Sequence, residues 1–574
     1  MNSEKYISSI LLIVLILLLN IISSSVNWNI DLTDDQKHSL SKESTEIINS
    51  LDDKLFIKIY LEGNFPTEFK KLQKSTENLL KLFRNINHNI DYEFINPNDF
   101  ANEKGKIALF KQLVKLKLNP TNLEINKFDK QVNQIIFPGA IIYYKDKQVA
   151  INFLKQSSGE STTSNINTSI EELEYEFMST IYHLTKNRFS KIAFLTGNGE
   201  LSEQQVYDIN ESVLDDNFNL SYYYKVERFN IKEFIIDSTT MLPDLSKQSD
   251  LLRNYEAIII AKPTIPFNNL DKFLIDQYIM QGGKVLWLLD GVNASMDSLE
   301  TNLASFIATR NNLNINDQLM RYGVRINFNL IEDLRSTKIP VITGYSNKKP
   351  QKTFFNWPYY PLILSDSKHK ISKGIDDLKC EFVSSIDTIR NDIQKTILLH
   401  SSKRSRFIPS PNKISLRILK NTPPIKSYNK EFLPIAVLLE GEFESIFRGK
   451  LIPKNQQIQF IKKSVTTKMI VISDGDMIAN DFSLSGKIFP LAYDKNLKYT
   501  YSGNKHFIIN AVQYLCGDIN LGNLKLKELS LRMLDKEKIR KNKFIIQSIN
   551  IVLPILLLIL FSIFFLNYKK RKYA

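Results

Sequence analysis

The stretch GGKVLWLLDGVNASMD, Gly282 to Asp297, joins an apolar run to a turn that begins at Asp290. YEAIIIAKP, Tyr255 to Pro263, and KMIVISDGDMIAND, Lys468 to Asp481, have the same form. A helical pattern from Leu270 to Gln281 lies directly before the first stretch. Continuous apolar strands separated by helices are typical of a parallel sheet that helices cover on both faces. The sequence therefore predicts an α/β domain built around a parallel sheet.

We expect this domain to occupy residues 170–530, with an insertion at about 303–467 that contains shorter and more mixed elements. Directly before it, residues 156–169 read QSSGESTTSNINTS, a polar composition that predicts a linker. Glu171 to Thr185 then has the apolar periodicity of an amphipathic helix. The linker separates the α/β domain from an N-terminal domain.

The predicted N-terminal domain, residues 28–155, contains a strand, a helix, a second strand and a hairpin. These elements are Leu55 to Gly63, Thr67 to Phe83, IDYEFINP and Phe137 to Phe153. Their order, with a proline before the hairpin, is similar to the thioredoxin arrangement. That fold keeps a reactive C-x-x-C near the positions of Gly63 to Pro66, where this chain has no cysteine. We therefore expect a thioredoxin-like domain that acts as a binding or spacer module.

Both ends of the chain carry apolar runs that predict transmembrane helices. Phe544 to Leu566 has no charged residue and, at ~1.5 Å per helical residue, is long enough to cross a ~30 Å hydrocarbon core. Its proline, Pro554, is tolerated in a membrane helix. Tyr6 to Ile22 fits either an uncleaved signal anchor, which we favour, or a cleaved signal peptide.

Two spans place both termini on the same side of the membrane. Asp31, Asp34 and Asp35 follow the first run before any basic residue, and this charge bias predicts a cytoplasmic N-terminus. The residues between the two runs then lie outside the cytoplasmic membrane, and the basic tail, residues 567–574, is cytoplasmic.

The chain of 574 residues has a formal net charge of +14. Because basic residues alternate with acidic ones and form no aromatic-lined basic motif, we expect no nucleic-acid partner. Basic runs at Lys536 to Lys543 and Lys569 to Lys572 instead suit anionic membrane lipid. Cys380 and Cys516 fit either one disulfide or two free thiols, and the six histidines lack the spacing of metal ligands.

The glycine motif TGNGEL, Thr196 to Leu201, follows an apolar strand and supplies Gly197, Gly199 and Glu200 as candidate ligand contacts. A dinucleotide fingerprint would need a third glycine or alanine at Ser202. We favour a turn that requires glycine conformations over a phosphate cradle. The sequence contains no G-x-x-x-x-G-K-[ST] phosphate loop and no G-x-S-x-G nucleophile elbow.

Asp290, Asp474 and Asp476 follow apolar strands, at the sheet edge where open α/β sheets bind ligands. They could serve acid–base chemistry or a divalent cation, or they could cap helices and shape turns. We favour capping, and we therefore predict no enzyme activity, no cofactor and no metal site.

Several longer stretches together resemble one known family. They are DLTDDQKHSLS, FPGAIIYYKDK, LEYEF, FLTGNGEL, FLIDQYIMQGGKVLWLLDGVNASMDSL, YGVRINFNLIEDL, LLEGEFESIF, MIVISDGDMIAND, GNKHFIINAVQYL and LRMLDKEKIRKNKFIIQSIN. In this order they resemble the GldG family of gliding-motility-associated ABC transporter auxiliary proteins, which are also described as substrate-binding components. The resemblance covers the chain nearly from end to end.

The resemblance implies an inner-membrane protein with a large periplasmic part, which works beside a permease subunit and a separate ATPase subunit. It also implies that the α/β domain is similar to class I glutamine-amidotransferase-like folds. Those enzymes place a cysteine at the elbow after a strand, and this chain has none at Gly197 to Glu200 or at Asp290. The resemblance therefore favours an enzyme-like scaffold that is used for binding.

Three hypotheses follow for the function. The first is a non-catalytic, membrane-anchored auxiliary subunit of an ABC-type transporter for gliding motility or related secretion, with an envelope or secreted-protein partner. The second is a periplasmic hydrolase or carbohydrate-acting enzyme that uses the strand-end aspartates. The third is a structural link between membrane and envelope.

Three polar residues in the last apolar run, Gln547, Ser548 and Asn550, bear on the first hypothesis. They either lie at headgroup depth or form a face that hydrogen-bonds a partner helix.

Overall fold

The computed structural model describes residues 39–99, 103–127, 130–154, 162–186, 189–214, 218–236, 241, 243–301, 305–346, 348–363, 369–450, 460–483, 485–518 and 543–573. The predicted first membrane segment, Tyr6 to Ile22, lies outside these residues, as does part of the predicted linker. The described residues belong to two units, 39–518 and 543–573, which we take in turn.

Residues 39–186 form a four-stranded sheet, a separate hairpin and four helices. The strands are β1 Leu55–Ile59, β2 Ile90–Phe94, β3 Thr121–Lys127, β4 Lys130–Ile136, β5 Gly139–Tyr144 and β6 Lys147–Asn152. The helices are α1 Lys42–Asn49, α2 Thr67–Ile86, α3 Glu103–Lys115 and α4 Thr162–Thr185. The sheet order is β2-β1-β5-β6, with β1 parallel to β2 and antiparallel to β5. The strand, helix, parallel strand and hairpin predicted here are therefore present.

Helix α4 corrects the predicted linker. Of residues 156–169, those from Thr162 onward are helical, and within them Ile166 and Ser169 are buried. The Ser169 hydroxyl donates a hydrogen bond to the Asn165 carbonyl one turn earlier, at 2.7 Å. A polar composition favours a linker only while nothing packs on it, and here tertiary packing decides the structure.

Residues 189–518 contain nineteen further strands and seven further helices among those that the structure describes. The strands are β7 Lys191–Thr196, β8 Lys225–Asn230, β9 Ala257–Ala261, β10 Lys284–Leu288, β11 Val292–Asn293, β12 Ser305–Arg310, β13 Val324–Ile326, β14 Asn329–Asp333, β15 Ser336–Ser346, β16 Lys349–Ile363, β17 Leu378–Lys379, β18 Ile386–Thr388, β19 Gln394–His400, β20 Ser405–Pro409, β21 Asn412–Ser415, β22 Pro434–Gly441, β23 Thr467–Ile472, β24 Tyr493–Asp494 and β25 Tyr499–Thr500. The helices are α5 Tyr207–Asn210, α6 Leu220–Tyr223, α7 Leu245–Leu252, α8 Asn269–Met280, α9 Met296–Thr301, α10 Asn316–Tyr322 and α11 Gly503–Cys516.

The main sheet has the order β19-β22-β23-β10-β9-β7-β8. The five strands from β23 to β8 are parallel, whereas β22 pairs antiparallel with β23 and β19 pairs antiparallel with β22. Ile258 and Ile260 face one core, which includes Phe273 of α8, and Ile259 faces the other, which includes Phe177 of α4 and Phe507 of α11. The predicted parallel sheet with helices on both faces is thus observed.

The parallel strands lie in the order 2-1-3-4-5 when they are counted along the chain. In such doubly wound sheets the topological switch point, here between β7 and β9, opens a crevice at the carboxyl ends of the strands. Ligands of these folds bind at that edge, so it is the first place to look for a functional site.

The predicted insertion, residues 303–467, is more than an elaboration outside the main sheet. Its strands β19 and β22 extend that sheet by two, and most of its other strands form small antiparallel sheets. The largest of these is the long hairpin of β15 and β16.

The second unit is a single helix, α12 Lys543–Tyr573. Its segment Asn550–Lys569 is long and apolar enough to cross a membrane, by length and composition, and no part of it is buried within the protein. The helix continues through Lys569 and Arg571, so most of the predicted basic tail is helical. This composition supports membrane association at the C-terminal end.

Candidate functional site

Polar residues follow each of four neighbouring strands at the carboxyl edge of the main sheet. Glu200 follows β7, Lys262 follows β9, Asp290 follows β10, and Asp474 follows β23. Because parallel strands end at one edge, these residues are delivered to the same side of the sheet. The edge therefore combines carboxylates with one lysine that the sequence analysis missed.

Asp290, Asp474 and Asp476 converge at this edge. One carboxylate oxygen from each lies within 4.8 Å of the others. The ammonium group of Lys262 forms an ion pair with Asp476 and lies 3.7 Å from Asp290. The side chain of Lys262 is 23% exposed and that of Asp290 is 12% exposed. The protein's own lysine therefore supplies a positive charge to two of the three carboxylates.

Backbone N–H groups also satisfy these carboxylates. Asp474 accepts hydrogen bonds from Asp476 N at 2.9 Å and Met477 N at 3.1 Å, at the start of the 3-10 turn Asp476–Ile478. Its second oxygen accepts from Glu381 N at 2.9 Å. Asp290 accepts from Gly475 N at 2.6 Å. Asp474 and Asp290 thus bond to the backbone of a turn and also meet at one site.

A second ion pair borders the cluster. The Lys379 ammonium lies 2.5 Å from the Glu381 carboxylate, and both residues flank the buried Cys380. Neither Lys379 nor Glu381 carries a signal in the sequence, because they come from the insertion rather than from a strand of the main sheet. Lys262 had a weak signal, since it directly follows the apolar strand AIIIA.

The protonation of the cluster reflects burial and mutual charge. Burial raises the pKa of Asp476 to about 7, against the opposing effect of Lys262. Burial and the charges of Asp476 and Asp290 raise the pKa of Asp474 well above its usual range. For Lys262, burial lowers the pKa, but the nearby charges of Asp476 and Asp290 outweigh it and raise the pKa overall. The lysine therefore stays charged, and the cluster contains a carboxyl group that titrates near neutral pH.

The glycine motif lies at the switch point, where it holds two loops together. Asn198 O accepts hydrogen bonds from Thr264 N and Ile265 N, both at 2.9 Å, and the Thr264 hydroxyl donates to Gly199 O at 3.1 Å. The loops after β7 and β9 thus bond directly across the position of the crevice. Gly197 and Gly199 have φ values of +119° and +73°, so the turn needs glycine conformations.

Glu200 completes the same turn. Its carboxylate accepts a hydrogen bond from Asn198 N at 2.7 Å, which occupies an N–H group that a phosphate cradle would use. Burial raises the pKa of Glu200. After the turn comes a 3-10 segment, Gln204–Val206, and then the four-residue helix α5. The arrangement fits a structural turn better than a phosphate site.

The two cysteines are free thiols, so the disulfide alternative is wrong. Burial raises the pKa of Cys380 well above its usual value and that of Cys516 to about 12. A protonated thiol is a poor nucleophile and a poor metal ligand.

The polar residues of α12 lie in its first turns. Gln547 and Asn550 are exposed, and Ser548 is partly exposed. Gln547, Asn550 and Pro554 recur at helical spacing and share one side of the helix. Pro554 also lacks the N–H that would bond to the Asn550 carbonyl, so this side carries backbone as well as side-chain polarity.

Comparison with known proteins gives two family matches. The profile of the family described as ABC-type uncharacterized transport system matches residues 190–511, and that of a Domain of unknown function (DUF7088) matches residues 34–143. No curated protein matches the chain. A solved structure described as mmIFT52 N-terminal domain is 13% identical and covers 57% of this chain and 97% of its own, with a TM-score of 0.31.

Proposed function

The chain belongs to the ABC-type transport-system auxiliary family, and from this premise we propose that it is a non-catalytic auxiliary subunit of a GldG-type transporter for gliding motility or related secretion. Both terminal helices anchor it in the inner membrane, with both termini cytoplasmic and residues 28–530 in the periplasm. A permease subunit and a separate ATPase subunit are its partners, and an envelope or secreted protein contacts the periplasmic part.

One observation carries the non-catalytic part of the proposal. The family match coincides with the main sheet. Charged side chains and loops at the edge of that sheet contact one another. Lys262 forms ion pairs with Asp476 and Asp290, and the loop of Gly199 bonds to that of Thr264 across the switch point. Carboxylates that pair with the protein's own lysine, and loops that are joined by hydrogen bonds, are suited to a rigid scaffold.

The fold assignments are part of the same proposal. The sheet order β2-β1-β5-β6 supports a thioredoxin-like N-terminal domain, in which Gly63 to Pro66 replace the reactive cysteines. The parallel order of the main sheet supports an amidotransferase-like domain without a nucleophile. Both domains would then be scaffolds that bind other proteins.

Co-purification tests the proposed partners. When the chain is expressed with its permease and ATPase and extracted in mild detergent, all three should be recovered together. The triple variant Gln547→Leu, Ser548→Leu and Asn550→Leu should still insert but recover several-fold less permease, because it loses the interhelical hydrogen bonds of α12.

The matched control changes three apolar positions of the same helix, Val552→Leu, Ile555→Leu and Ile559→Leu. It should leave recovery unchanged. Equal recovery of permease with both triple variants would favour the alternative that the polar residues lie at headgroup depth. Absence of both partners from every preparation would instead support the structural link between membrane and envelope.

A hydrolase remains the second candidate, because Asp290, Asp474 and Asp476 converge within 4.8 Å. Such an enzyme would need a cation or a free general base there. We expect calorimetric titration of the full-length chain with Mg²⁺ or Mn²⁺ to give no binding heat, since Lys262 already pairs with Asp290 and Asp476. Saturable binding that disappears in Asp474→Asn would favour the hydrolase.

A further inference from the structure

The long hairpin of β15 and β16 extends from a packed base to an exposed outer part. At the base, Ile339, Trp357 and Tyr359 are buried in a small core of the insertion. Further out the strands remain paired, from Lys338 opposite Asn356 to Ser346 opposite Lys349. In the part that the structure describes, β16 pairs with β17 only close to its end, at residues 362–363. The outer part is therefore a two-stranded ribbon.

This outer ribbon exposes large apolar side chains. Ile342 is 52% exposed, Tyr345 is 73% exposed and Phe354 is 43% exposed. A two-stranded ribbon alone is at best marginally stable in water. Exposed apolar residues gathered on such a ribbon indicate an interaction surface.

The charge of the hairpin is entirely positive. Residues 336–363 contain Lys338, Lys348, Lys349 and Lys352 but no aspartate or glutamate. Among the described residues, none of Lys338, Lys348 and Lys352 has an ion-pair partner, and all three are exposed. The chain as a whole alternates basic with acidic residues, so the absence of acid here is a local feature. The complementary surface must be anionic.

The edges of the ribbon disfavour a partner strand. Pro340 lies in β15, and Pro350 and Pro358 lie in β16, where they remove N–H groups that an added strand would need. Exposed lysines on the same strands further discourage strand addition. Contact through side chains is therefore favoured over extension of the sheet.

We propose that the hairpin arm, defined as residues 338–354, docks on an anionic phospholipid surface. Lys338, Lys348 and Lys352 contact the phosphates. Tyr345, Phe354 and Ile342 lie at headgroup depth, where aromatic residues are enriched. The proposal goes beyond the transporter role and needs neither permease nor ATPase. It uses the proposed function only in that α12 brings the chain to a bilayer.

The test places a fluorophore on the arm of the full-length chain in nanodiscs. Thr343→Cys supplies an exposed labelling site, whereas Cys380 is buried and Cys516 is only partly exposed. In discs that contain phosphatidylglycerol, doxyl-labelled lipid should quench the fluorophore, and added salt should relieve the quenching. Discs of phosphatidylcholine alone should give little quenching.

Variants assign the effect to the arm. Lys338→Gln, Lys348→Gln and Lys352→Gln should each reduce the docking equilibrium by about fivefold. Lys70→Gln, Lys71→Gln and Lys74→Gln, three exposed lysines of α2, form the matched control and should change nothing. Failure of the chain to enter nanodiscs would count against the proposed membrane anchor, which is a separate outcome from loss of quenching.

Two outcomes would overturn the proposal. One is equal quenching in neutral and anionic discs. The other is a fluorophore that responds only after permease is added, which would identify an acidic protein as the partner. Ile342→Ser with Tyr345→Ser and Phe354→Ser should reduce quenching without changing its dependence on anionic lipid, which separates the apolar from the charged contribution.

Discussion

Replacing Lys262 with methionine is expected to lower the free energy of unfolding by on the order of 3 kcal/mol at pH 8. The ammonium group is mostly buried and pairs with Asp476 and Asp290, beside Asp474. Removing one partner of a buried ion pair leaves the other charges without compensation in a poorly solvated place. Because methionine keeps the apolar part of the lysine side chain, the decrease in the free energy of unfolding measures the contribution of the positive charge. Urea unfolding in detergent, followed by the fluorescence of the buried Trp287 and Trp357, measures it.

The stability lost in Lys262→Met should become smaller when the pH falls from 8 to 5. A carboxyl group whose folded pKa lies above its unfolded pKa binds more protons in the folded state, so stability falls as the pH rises between the two values. In the wild type this window for Asp476 extends from the ordinary value near 3.8 to about 7. Without Lys262 the folded pKa of Asp476 should be higher, so the pH range over which stability falls should extend further upward. The variant should therefore lose stability more steeply toward pH 8.

A surface variant controls for the loss of positive charge. Lys225 is 62% exposed and lies 2.7 Å from Glu227, so Lys225→Met should cost about 1 kcal/mol or less. The double variant Lys262→Met with Asp476→Asn should recover part of the loss, because it removes one uncompensated carboxylate. If the two lysine variants lose the same stability at every pH, the cluster at the sheet edge is not electrostatically coupled.

The convergence of the aspartates could be predicted in part from the sequence. Asp290 and Asp474 each follow a continuous apolar run, and such runs indicate parallel strands whose ends share an edge. That β10 and β23 are neighbours could not be predicted, since almost two hundred residues separate them and strand order depends on tertiary packing. The position of Lys262 between the carboxylates depends on the same neighbour relations.

Other features could not be predicted from the sequence because their local patterns are ambiguous. Strands β19 and β22 lie within a mixed segment, and nothing local shows that they join the main sheet rather than a small one. The start of α4 has poor helix formers, and burial of Ile166 makes it helical. By contrast, the amphipathic continuation of α4 and the apolar C-terminal run have strong periodicity or length, and both form the predicted helices.

Replacing Gly199 with alanine should destabilise the chain by about 3 kcal/mol, from two separable sources. At φ +73° an alanine is strained by about 1–2 kcal/mol. Its Cβ would also lie 2.2 Å from the Thr264 hydroxyl oxygen, so the two loops that meet at the switch point would have to separate. Urea unfolding of the full-length chain again provides the measurement.

Gly486 is the matched control, because its φ of +80° is similar and no atom lies within 4 Å of the position that an alanine Cβ would take. The stability lost in Gly486→Ala should therefore come from the backbone strain alone. Adding Thr264→Ala to Gly199→Ala should recover most of the extra loss of stability, since the closest clash is with the threonine hydroxyl. If Gly199→Ala costs no more than Gly486→Ala, the loops are not held in contact and the switch-point crevice can open. A site for phosphate or another ligand at Gly197 and Gly199 would then become the better interpretation.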